Sequence, residues 1–297
     1  MTLSAVELGE LVGLLAALAW SVTGLLVRAH GVHIHAIVIN ALRCAISGGV
    51  FVIAWPFLSS RQPVPPAAWL FLLASTIAGL GVGDSLYFEA LKRIGVARAM
   101  PISMAYPVLA SIGAVALLHE QMGPLAAVGI PLTLGGVYLV AARSATAPVT
   151  AASAGRGYWV GVGLAAAAAV SWSCSTLALG PALALVDVPT ASAVRTPLAS
   201  ALLFFTARRA GVLPKVDRLR GRALVAILVT GFASVAATAF FMMSVALAGA
   251  GRAAVLTATS PLFAVPISIL MLGETGSWRI ALGTVCSVIG VILLAQS

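Results

Sequence analysis

The stretches INALRCAISGG (residues 39–49) and ASAVRTPLASA (residues 191–201) each place one arginine inside a largely apolar run. These arginines, Arg43 and Arg195, are 152 residues apart. Identical residues also stand 152 or 154 positions apart at Trp20 and Trp172, Ser21 and Ser173, Arg98 and Arg252, Pro107 and Pro261, and Glu120 and Glu274. The sequence is therefore one unit of about 150 residues that is present twice.

The composition indicates a membrane protein. Hydrophobic residues make up 61% of the 297 residues, only 8% are charged, and the mean hydropathy is +1.10. A water-soluble globule of this size needs more polar surface than such a chain can supply. Since a helix needs about 20 apolar residues to cross the hydrocarbon core, we looked for apolar runs of that length.

Ten such runs are present, five in each copy, and they do not alternate as barrel strands do. They are residues 8–27, 34–57, 68–91, 99–118 and 125–142, then 159–179, 189–207, 224–247, 253–272 and 280–295. The sequence predicts an all-α polytopic protein with ten transmembrane helices in two five-helix repeats. The repeats are residues 1–143 and 158–297, and a linker rich in alanine, serine, threonine and glycine (residues 144–157) joins them.

An odd number of helices per repeat inserts the second copy with the opposite orientation, an arrangement typical of membrane transporters. The loops after the odd-numbered helices carry 13 lysines and arginines, whereas the other loops and the termini carry 2. By the positive-inside rule both termini face away from the cytoplasm. The net charge of +9 then follows from topology, and we expect no nucleic-acid partner.

The sequence predicts no cofactor, metal site or catalytic centre. The cysteines are isolated in apolar contexts, and no carboxylate or thiol completes a metal site beside the clustered histidines. These residues are Cys44, Cys174 and Cys286, and His30, His33 and His35. Residues 81–84 spell GVGD, which resembles the GxGD motif of intramembrane aspartyl proteases, but that chemistry needs a second buried aspartate. Asp187 and Asp217 both lie in predicted loops, so we predict that the protein is not an enzyme.

Arg43 and Asp84 are predicted to form an intramembrane ion pair. A rise of about 1.5 Å per residue puts Asp84 about 12 Å inward from Lys92, and Arg43 about 13 Å inward from Ile34, measured from the same face. Pairing offsets much of the cost of burying either charge. Asp84 is then either a static counter-ion or a titrating group that couples transport to protons.

Arg195 has no such partner in the sequence, because Thr238 occupies the position equivalent to Asp84. A buried guanidinium without a carboxylate must find carbonyls, hydroxyls or an anionic group of a ligand. Arg195 is therefore either a binder of substrate carboxylate or a packing anchor retained in both copies.

The fourth and ninth helices are the candidates for lining a path. Each has a proline in mid-span, Pro107 or Pro261, which frees a backbone carbonyl, bends the helix and is a candidate gating point. Such matched helix disturbances indicate a binding site near the midplane. Trp20 and Trp172 lie well inside their predicted helices, where tryptophan either packs in the core or forms a wall for an apolar ligand. The predicted substrate-binding residues are Trp20, Asn40, Tyr87, Ser103, Tyr106, Trp172, Ser175, Arg195, Phe241, Thr257 and Ser260.

The short motifs and their order resemble those of a known family over nearly the whole chain. Each copy has Trp-Ser in its first helix, an arginine in its second, AYPVLA or TSPLFA in its fourth, then LLHEQMG or MLGETGS, and ends in GVYLVA or GVILLA. The chain resembles the EamA-type branch of the drug/metabolite transporter superfamily. The resemblance implies a ten-helix carrier of the bacterial inner (plasma) membrane that works by alternating access around a cavity between the repeats. It also implies that Glu120 and Glu274 end the fourth and ninth helices at the membrane surface.

The sequence hypothesis is a carrier that exports small neutral or zwitterionic metabolites, including aromatic and other amino acids. Its expected partners are a small-molecule substrate and the lipid bilayer, with the chain as a monomer or weak homodimer. The alternative is a multidrug or metabolite facilitator that couples to no ion. A membrane enzyme or an assembly factor would carry no solute at all.

Overall fold

The computed structural model describes residues 4–30, 34–60, 63–118, 123–141, 156–213, 221–248 and 250–296, and within these ranges all regular structure is helical. A π-helix, Thr76–Gly83, lies between α3 and α4. The α-helices are α1 (Ala5–His30), α2 (Ala36–Leu58), α3 (Pro66–Ser75), α4 (Asp84–Ile94), α5 (Val96–Ser103), α6 (Tyr106–Leu118), α7 (Ala126–Ala141), α8 (Arg156–Leu183), α9 (Val188–Arg209), α10 (Arg222–Ala248), α11 (Ala250–Thr257), α12 (Ser260–Leu272) and α13 (Trp278–Ala295).

These elements form ten spans, which confirms the predicted fold class. The third span is continuous from Pro66 to Ile94 and contains α3, the π-helix and α4. The fourth span is α5 with α6, and the ninth is α11 with α12. In the described ranges, seven helices have the length and hydropathy to cross a membrane, and Ala126–Val140 and Trp278–Leu293 are shorter apolar helices.

Equivalent side chains cap the second helix of each repeat. The Nδ1 atom of His35 accepts a hydrogen bond from the Ile37 amide at 3.3 Å at the start of α2. The Asp187 carboxylate accepts one from the Thr190 amide at 2.7 Å at the start of α9. His35 therefore has a structural role. No cluster of three metal-binding side chains occurs within the ranges described, and His33 lies outside them.

The two repeats pack through symmetry-related contacts: α2 against α9 and α7 against α13 join equivalent helices, and the contact of α1 with α10 is equivalent to that of α8 with the third span. Glycines permit the closest approach, between α7 and α13. A Cβ atom on Gly136 would lie 2.6 Å from the Ser287 amide nitrogen, and one on Gly290 would lie 2.6 Å from the Gly129 carbonyl oxygen. These positions correspond in the two repeats, so this interface is nearly symmetric.

The fourth and ninth spans are both interrupted at the same place. The interruptions come after Ser103 and Thr257, and each new helix carries its proline, Pro107 or Pro261, as the second residue. Proline suits the first turn of a helix, where its missing N–H leaves no acceptor unpaired. The prolines therefore begin separate helices. The prediction that they bend two continuous helices is wrong.

The first helix of each repeat holds the interruption in the other repeat. The Ser21 hydroxyl donates a hydrogen bond to the Ser260 carbonyl oxygen at 2.9 Å, and the Ser173 hydroxyl donates one to the Tyr106 carbonyl oxygen at 2.7 Å. Backbone polar groups inside a membrane need such partners wherever helical bonding is lost. The interrupted spans thus lie in the middle of the bundle, each held by the opposite repeat.

Candidate functional site

A cavity of about 850 Å³, including its open mouth, lies between the repeats. Residues of the first, third, fourth, sixth, seventh, eighth and ninth spans line it. Binding pockets for small molecules have mainly apolar walls with a few polar groups. The cavity therefore has the character of a small-molecule site.

An aromatic cluster forms much of its wall. The Trp172 ring centroid lies 5.1 Å from that of Tyr87 and 6.1 Å from that of Tyr106, the second contact being edge to face. Trp20, Phe88 and Phe241 complete the aromatic lining of the described residues. Tilted and edge-to-face contacts are the preferred geometries of aromatic pairs, so the rings support one another in the cavity wall. The Tyr87 hydroxyl is buried and has no hydrogen-bond partner in the described part of the chain.

Arg43 and Asp84 form an ion pair at the cavity wall. Arg43 Nη2 contacts Asp84 Oδ2, and the two residues are only 1% and 4% exposed. The guanidinium carbon of Arg43 lies 5.6 Å from the centroid of the Trp20 ring and 5.4 Å from that of Phe88. Cation–π contacts with two rings add to the stabilisation of this charge. Asp84 lines the cavity, whereas Arg43 lies behind it.

Asn40 holds Arg43 in position through a hydrogen bond. Asn40 Oδ1 accepts a hydrogen bond from Arg43 Nη2 at 2.7 Å, and Asn40 Nδ2 donates to the Leu80 carbonyl oxygen at 2.6 Å and to Ser85 Oγ at 3.1 Å. Residues three apart on a helix share a face, which brings Asn40 and Arg43 together. Asn40 is fully buried and supports the ion pair away from the cavity lining.

Trp172 supplies the second partner of Asp84. Its indole Nε1 donates a hydrogen bond to Asp84 Oδ1 at 2.9 Å, so each carboxylate oxygen has its own donor. The contact depends on Gly83, because a Cβ atom there would lie 2.6 Å from Trp172 Cδ1 and 2.7 Å from Nε1. Gly83, the last residue of the π-helix, therefore lets Trp172 of the sixth span reach Asp84 of the third.

Arg195 occupies the equivalent position in the second repeat, but its surroundings differ. Its Nη2 donates to the Ser75 carbonyl oxygen at 3.5 Å, and its Nε has no hydrogen-bond partner among the residues that the structure describes. The residue is 7% exposed and lines the cavity. Gly79 faces the same corner, where a Cβ atom would lie 3.7 Å from Arg195 Nη2 and would collide with Ser175. Arg195 thus lies in the cavity wall with one buried donor that none of the described residues binds.

The structure separates the predicted site residues into two groups. Those in the cavity wall are the five aromatic residues Trp20, Tyr87, Tyr106, Trp172 and Phe241, and the polar residues Asp84, Ser175, Arg195 and Thr257. The Ser103 hydroxyl donates to the Ala165 carbonyl oxygen at 3.0 Å, and the Ser260 hydroxyl donates to the Thr257 carbonyl oxygen. Ser103 and Ser260, like Asn40, Arg43 and the two prolines, therefore contribute to the framework behind the wall.

Sequence reasoning missed part of the lining. Thr238 faces the cavity and was recognised only as the counterpart of Asp84, while Met100, Met104 and Met242 were not singled out. Methionine adapts its shape and often lines binding surfaces. The π-helix was missed as well. Its signal is the spaced glycine run of GLGVG, which was interpreted only as a set of contact points.

Charged clusters hold the two ends of the bundle. At one end the Glu274 carboxylate accepts hydrogen bonds from the Val96 and Ala97 amides at 2.9 and 2.8 Å and lies 3.4 Å from Arg28 Nε. It thereby caps α5, in agreement with the structural role expected for this residue. A Cβ atom on Gly95, whose φ is 79°, would lie 2.6 Å from this carboxylate. Glu120 lies outside the described residues.

At the opposite end Asp187 joins the second and seventh spans. Its carboxylate accepts hydrogen bonds from the Ser60 amide at 2.8 Å, from the Ser60 hydroxyl, and from the Thr190 amide at 2.7 Å. Partial burial acts to raise the pKa of Asp187, but the hydrogen bonds from Ser60 and Thr190 outweigh it and hold the pKa below its usual range. Asp187 is therefore a charged structural cap.

Comparison with known proteins gives results at two levels. The model of the EamA-like transporter family matches residues 7–142 and 159–296, which are the two repeats. Among 29 matching chains of solved structures is one described as "Crystal structure of protein", with a TM-score of 0.68 and 21% sequence identity over 96% of this chain and 95% of that chain. At this identity the likeness concerns the fold alone. The comparison with curated proteins finds no match.

Proposed function

The chain belongs to the EamA-like transporter family, and from this premise we propose that it exports small zwitterionic or neutral metabolites, in particular amino acids. The substrate would occupy the central cavity, which opens alternately to the two sides of the membrane. The observation that carries the proposal is the combination of an aromatic wall with the unused donor of Arg195 in one cavity.

Arg195 supports a substrate that has a carboxylate. A guanidinium can donate two parallel hydrogen bonds to a carboxylate, and such charge-assisted pairs are the strongest hydrogen bonds in proteins. The free Nε lies beside Nη2, which has only a long bond of 3.5 Å to a backbone carbonyl. A bound carboxylate would satisfy both groups at once.

The aromatic wall supports an apolar or aromatic side chain on that substrate. Trp172 is fixed by Asp84 and by two neighbouring tyrosines, so a flat ligand group meets a surface that is already ordered. Ordering the wall in advance reduces the entropy cost of binding. Aromatic amino acids are therefore the first solutes to test.

The state of Asp84 favours the uncoupled alternative over proton coupling. Arg43 and Trp172 each donate to one of its carboxylate oxygens. A coupling acid must gain and lose its proton during transport. Both donors here stabilise the ionised form and offset the cost of burying it, which supports a static counter-ion. The carrier would then move its substrate down a concentration gradient.

Counterflow in proteoliposomes tests the proposal. Purified protein loaded with unlabelled phenylalanine should accumulate radiolabelled phenylalanine, and Arg195→Leu should reduce the initial rate by about tenfold or more, as expected when a charged hydrogen bond is lost. Arg195→Lys is the matched control, because it keeps the charge. A monodisperse Arg195→Leu protein with the wild-type rate would contradict the assigned role. An imposed pH gradient should leave the rate unchanged.

The proposed location is the bacterial inner membrane, with a multi-pass chain, both termini away from the cytoplasm, and a monomer or weak homodimer as the functional unit. The excess of basic residues in the odd-numbered loops supports this orientation. Cysteines introduced at position 4 and at position 296 should react with an impermeant maleimide in intact cells. Protection of both until the cells are lysed would reverse the assignment.

A further inference from the structure

The charges around the cavity do not sum to zero. Among the described residues, the ionised side chains at the cavity are Arg43, Asp84 and Arg195. Arg43 and Asp84 form a pair, and no carboxylate of the described residues lies within 4.0 Å of Arg195. The described part of the cavity therefore contains one uncompensated positive charge among mainly apolar walls.

The one carboxylate of the described cavity lining is already engaged. Asp84 accepts hydrogen bonds from Arg43 and Trp172. The hydroxyls of Ser175 and Thr257 donate to the carbonyl oxygens of Ser75 and Ala253 at 2.8 and 2.7 Å, so they offer a ligand uncharged acceptor lone pairs. Two buried side-chain groups at the cavity have no partner among the described residues, Arg195 Nε and the Tyr87 hydroxyl, and both can donate. The described part of the cavity thus has unused donors and a positive charge, but no free carboxylate to hold an ammonium group.

From this balance we infer that the cavity prefers an organic monoanion, namely a carboxylate on an aromatic or branched apolar body without an ammonium group. A monoanion bound at Arg195 brings the cavity to neutrality, a zwitterion leaves it at one positive charge, and an amine raises it to two. In a medium of low polarity an uncompensated charge is costly. The order of affinity is therefore monoanion, then zwitterion, then cation.

This inference rests on the proposed role of Arg195 as the carboxylate-binding residue, but it makes a separate claim about the rest of the ligand. Three compounds with the same ring isolate that claim: 3-phenylpropionate, phenylalanine and phenethylamine. They carry charges of minus one, zero and plus one near neutral pH, as their ordinary pKa values dictate. Binding is measured by isothermal titration to the purified full chain in detergent, which avoids the permeation of weak acids through liposomes.

We expect 3-phenylpropionate to bind about tenfold more tightly than phenylalanine, and phenethylamine to show no saturable binding. Arg195→Gln should remove the preference for the acid, and Arg195→Lys should retain it. Tighter binding of phenylalanine than of 3-phenylpropionate would overturn the inference and leave amino-acid transport standing. Binding of 3-phenylpropionate without any phenylalanine counterflow would support the inference and reject amino acids as the cargo. Absence of binding by both acids to folded protein would overturn both.

Discussion

The third span of the first repeat and the eighth span, its counterpart in the second, differ in both backbone and charge. The first contains a π-helix, Thr76–Gly83, followed by Asp84, whereas the second is uninterrupted α-helix through Thr238. The glycines at positions 79, 81 and 83 correspond to Ala233, Val235 and Ala237. An apolar α-helix is therefore sufficient to build this span, so the glycines and the acid of the first repeat serve another purpose.

The contacts of these glycines and of the acid indicate that purpose. Gly83 admits Trp172, Gly79 admits Ser175 beside Arg195, and Asp84 binds Arg43 and Trp172. The serines that hold the interrupted helices occur in both repeats and concern packing. The arginines of the second and seventh spans also occur in both repeats, but only the first has an acid beside it. The difference teaches that duplication supplied the scaffold and the two arginines, and that the π-helix and Asp84 made their surroundings unequal, as π-helical segments at functional sites suggest in general.

The largest effect is expected where the charge asymmetry is removed. Asp84→Asn leaves Arg43 buried without a counter-ion, and such changes cost about 3–5 kcal/mol. Unfolding of the purified protein by heat or by SDS titration should show this loss. Thr238→Val at the equivalent position of the second repeat is the matched control and should change stability by less than about 1 kcal/mol.

A double substitution sharpens the result. Arg43→Gln combined with Asp84→Asn removes both charges, so the pair of changes should cost less than the sum of the single ones, with a coupling energy of about 0.5–3 kcal/mol. Strict additivity would mean that the two side chains do not stabilise one another.

The next largest effect concerns the π-helix. Gly83→Ala puts a methyl group 2.6 Å from Trp172 Cδ1, so the indole must move and lose its bond to Asp84. Displacement of a packed side chain costs about 1–3 kcal/mol, and the Trp172 emission spectrum should shift. Gly81→Ala is the control within the same segment, since its nearest neighbour would be the Thr76 carbonyl oxygen at 3.5 Å. Equal tolerance of both substitutions would contradict the role given to Gly83.

Much of the fold follows from the sequence, because hydropathy and duplication act over long stretches. Ten apolar runs and an odd number per repeat are enough to predict two oppositely inserted five-helix units. The register of backbone hydrogen bonds is another matter. Whether GLGVG becomes α- or π-helix depends on which side chains of other spans press against it, and Trp172 is more than eighty residues away in the sequence.

Part of the site could be predicted from the sequence for the same reason. Matching depth on successive helices indicates that Arg43 and Asp84 can meet, because depth depends only on residue count. The direction in which each side chain points around the helix axis was used only in part to predict the site. Asn40 was assigned to the cavity, although its spacing of three residues from Arg43 already places both on one helix face. Which face looks into a cavity depends on tertiary packing, and hydropathy does not encode that.

A smaller effect, about 1 kcal/mol, is expected where the repeats are alike. Ser21→Ala and Ser173→Ala each remove one hydrogen bond to the backbone at an interrupted helix. Because the two contacts are equivalent, their losses of thermal stability should agree within a few tenths of a kcal/mol, and the double variant should be additive. A clear inequality would show that the asymmetry of the cavity extends into the framework.

The smallest effect concerns the equivalent helix caps, His35 and Asp187. The folded-state pKa of Asp187 is depressed, so its stabilisation is present above the unfolded value of about 4 and is lost as the pH falls through the folded value. Asp187→Asn keeps a good capping residue without a titrating group, so its effect at pH 7 should be below about 1 kcal/mol. Thermal unfolding should therefore show the wild type losing Tm relative to this variant between pH 5 and pH 3, read as a difference so that the other carboxylates cancel. A constant difference over that range would mean that the charge of Asp187 contributes nothing beyond the cap.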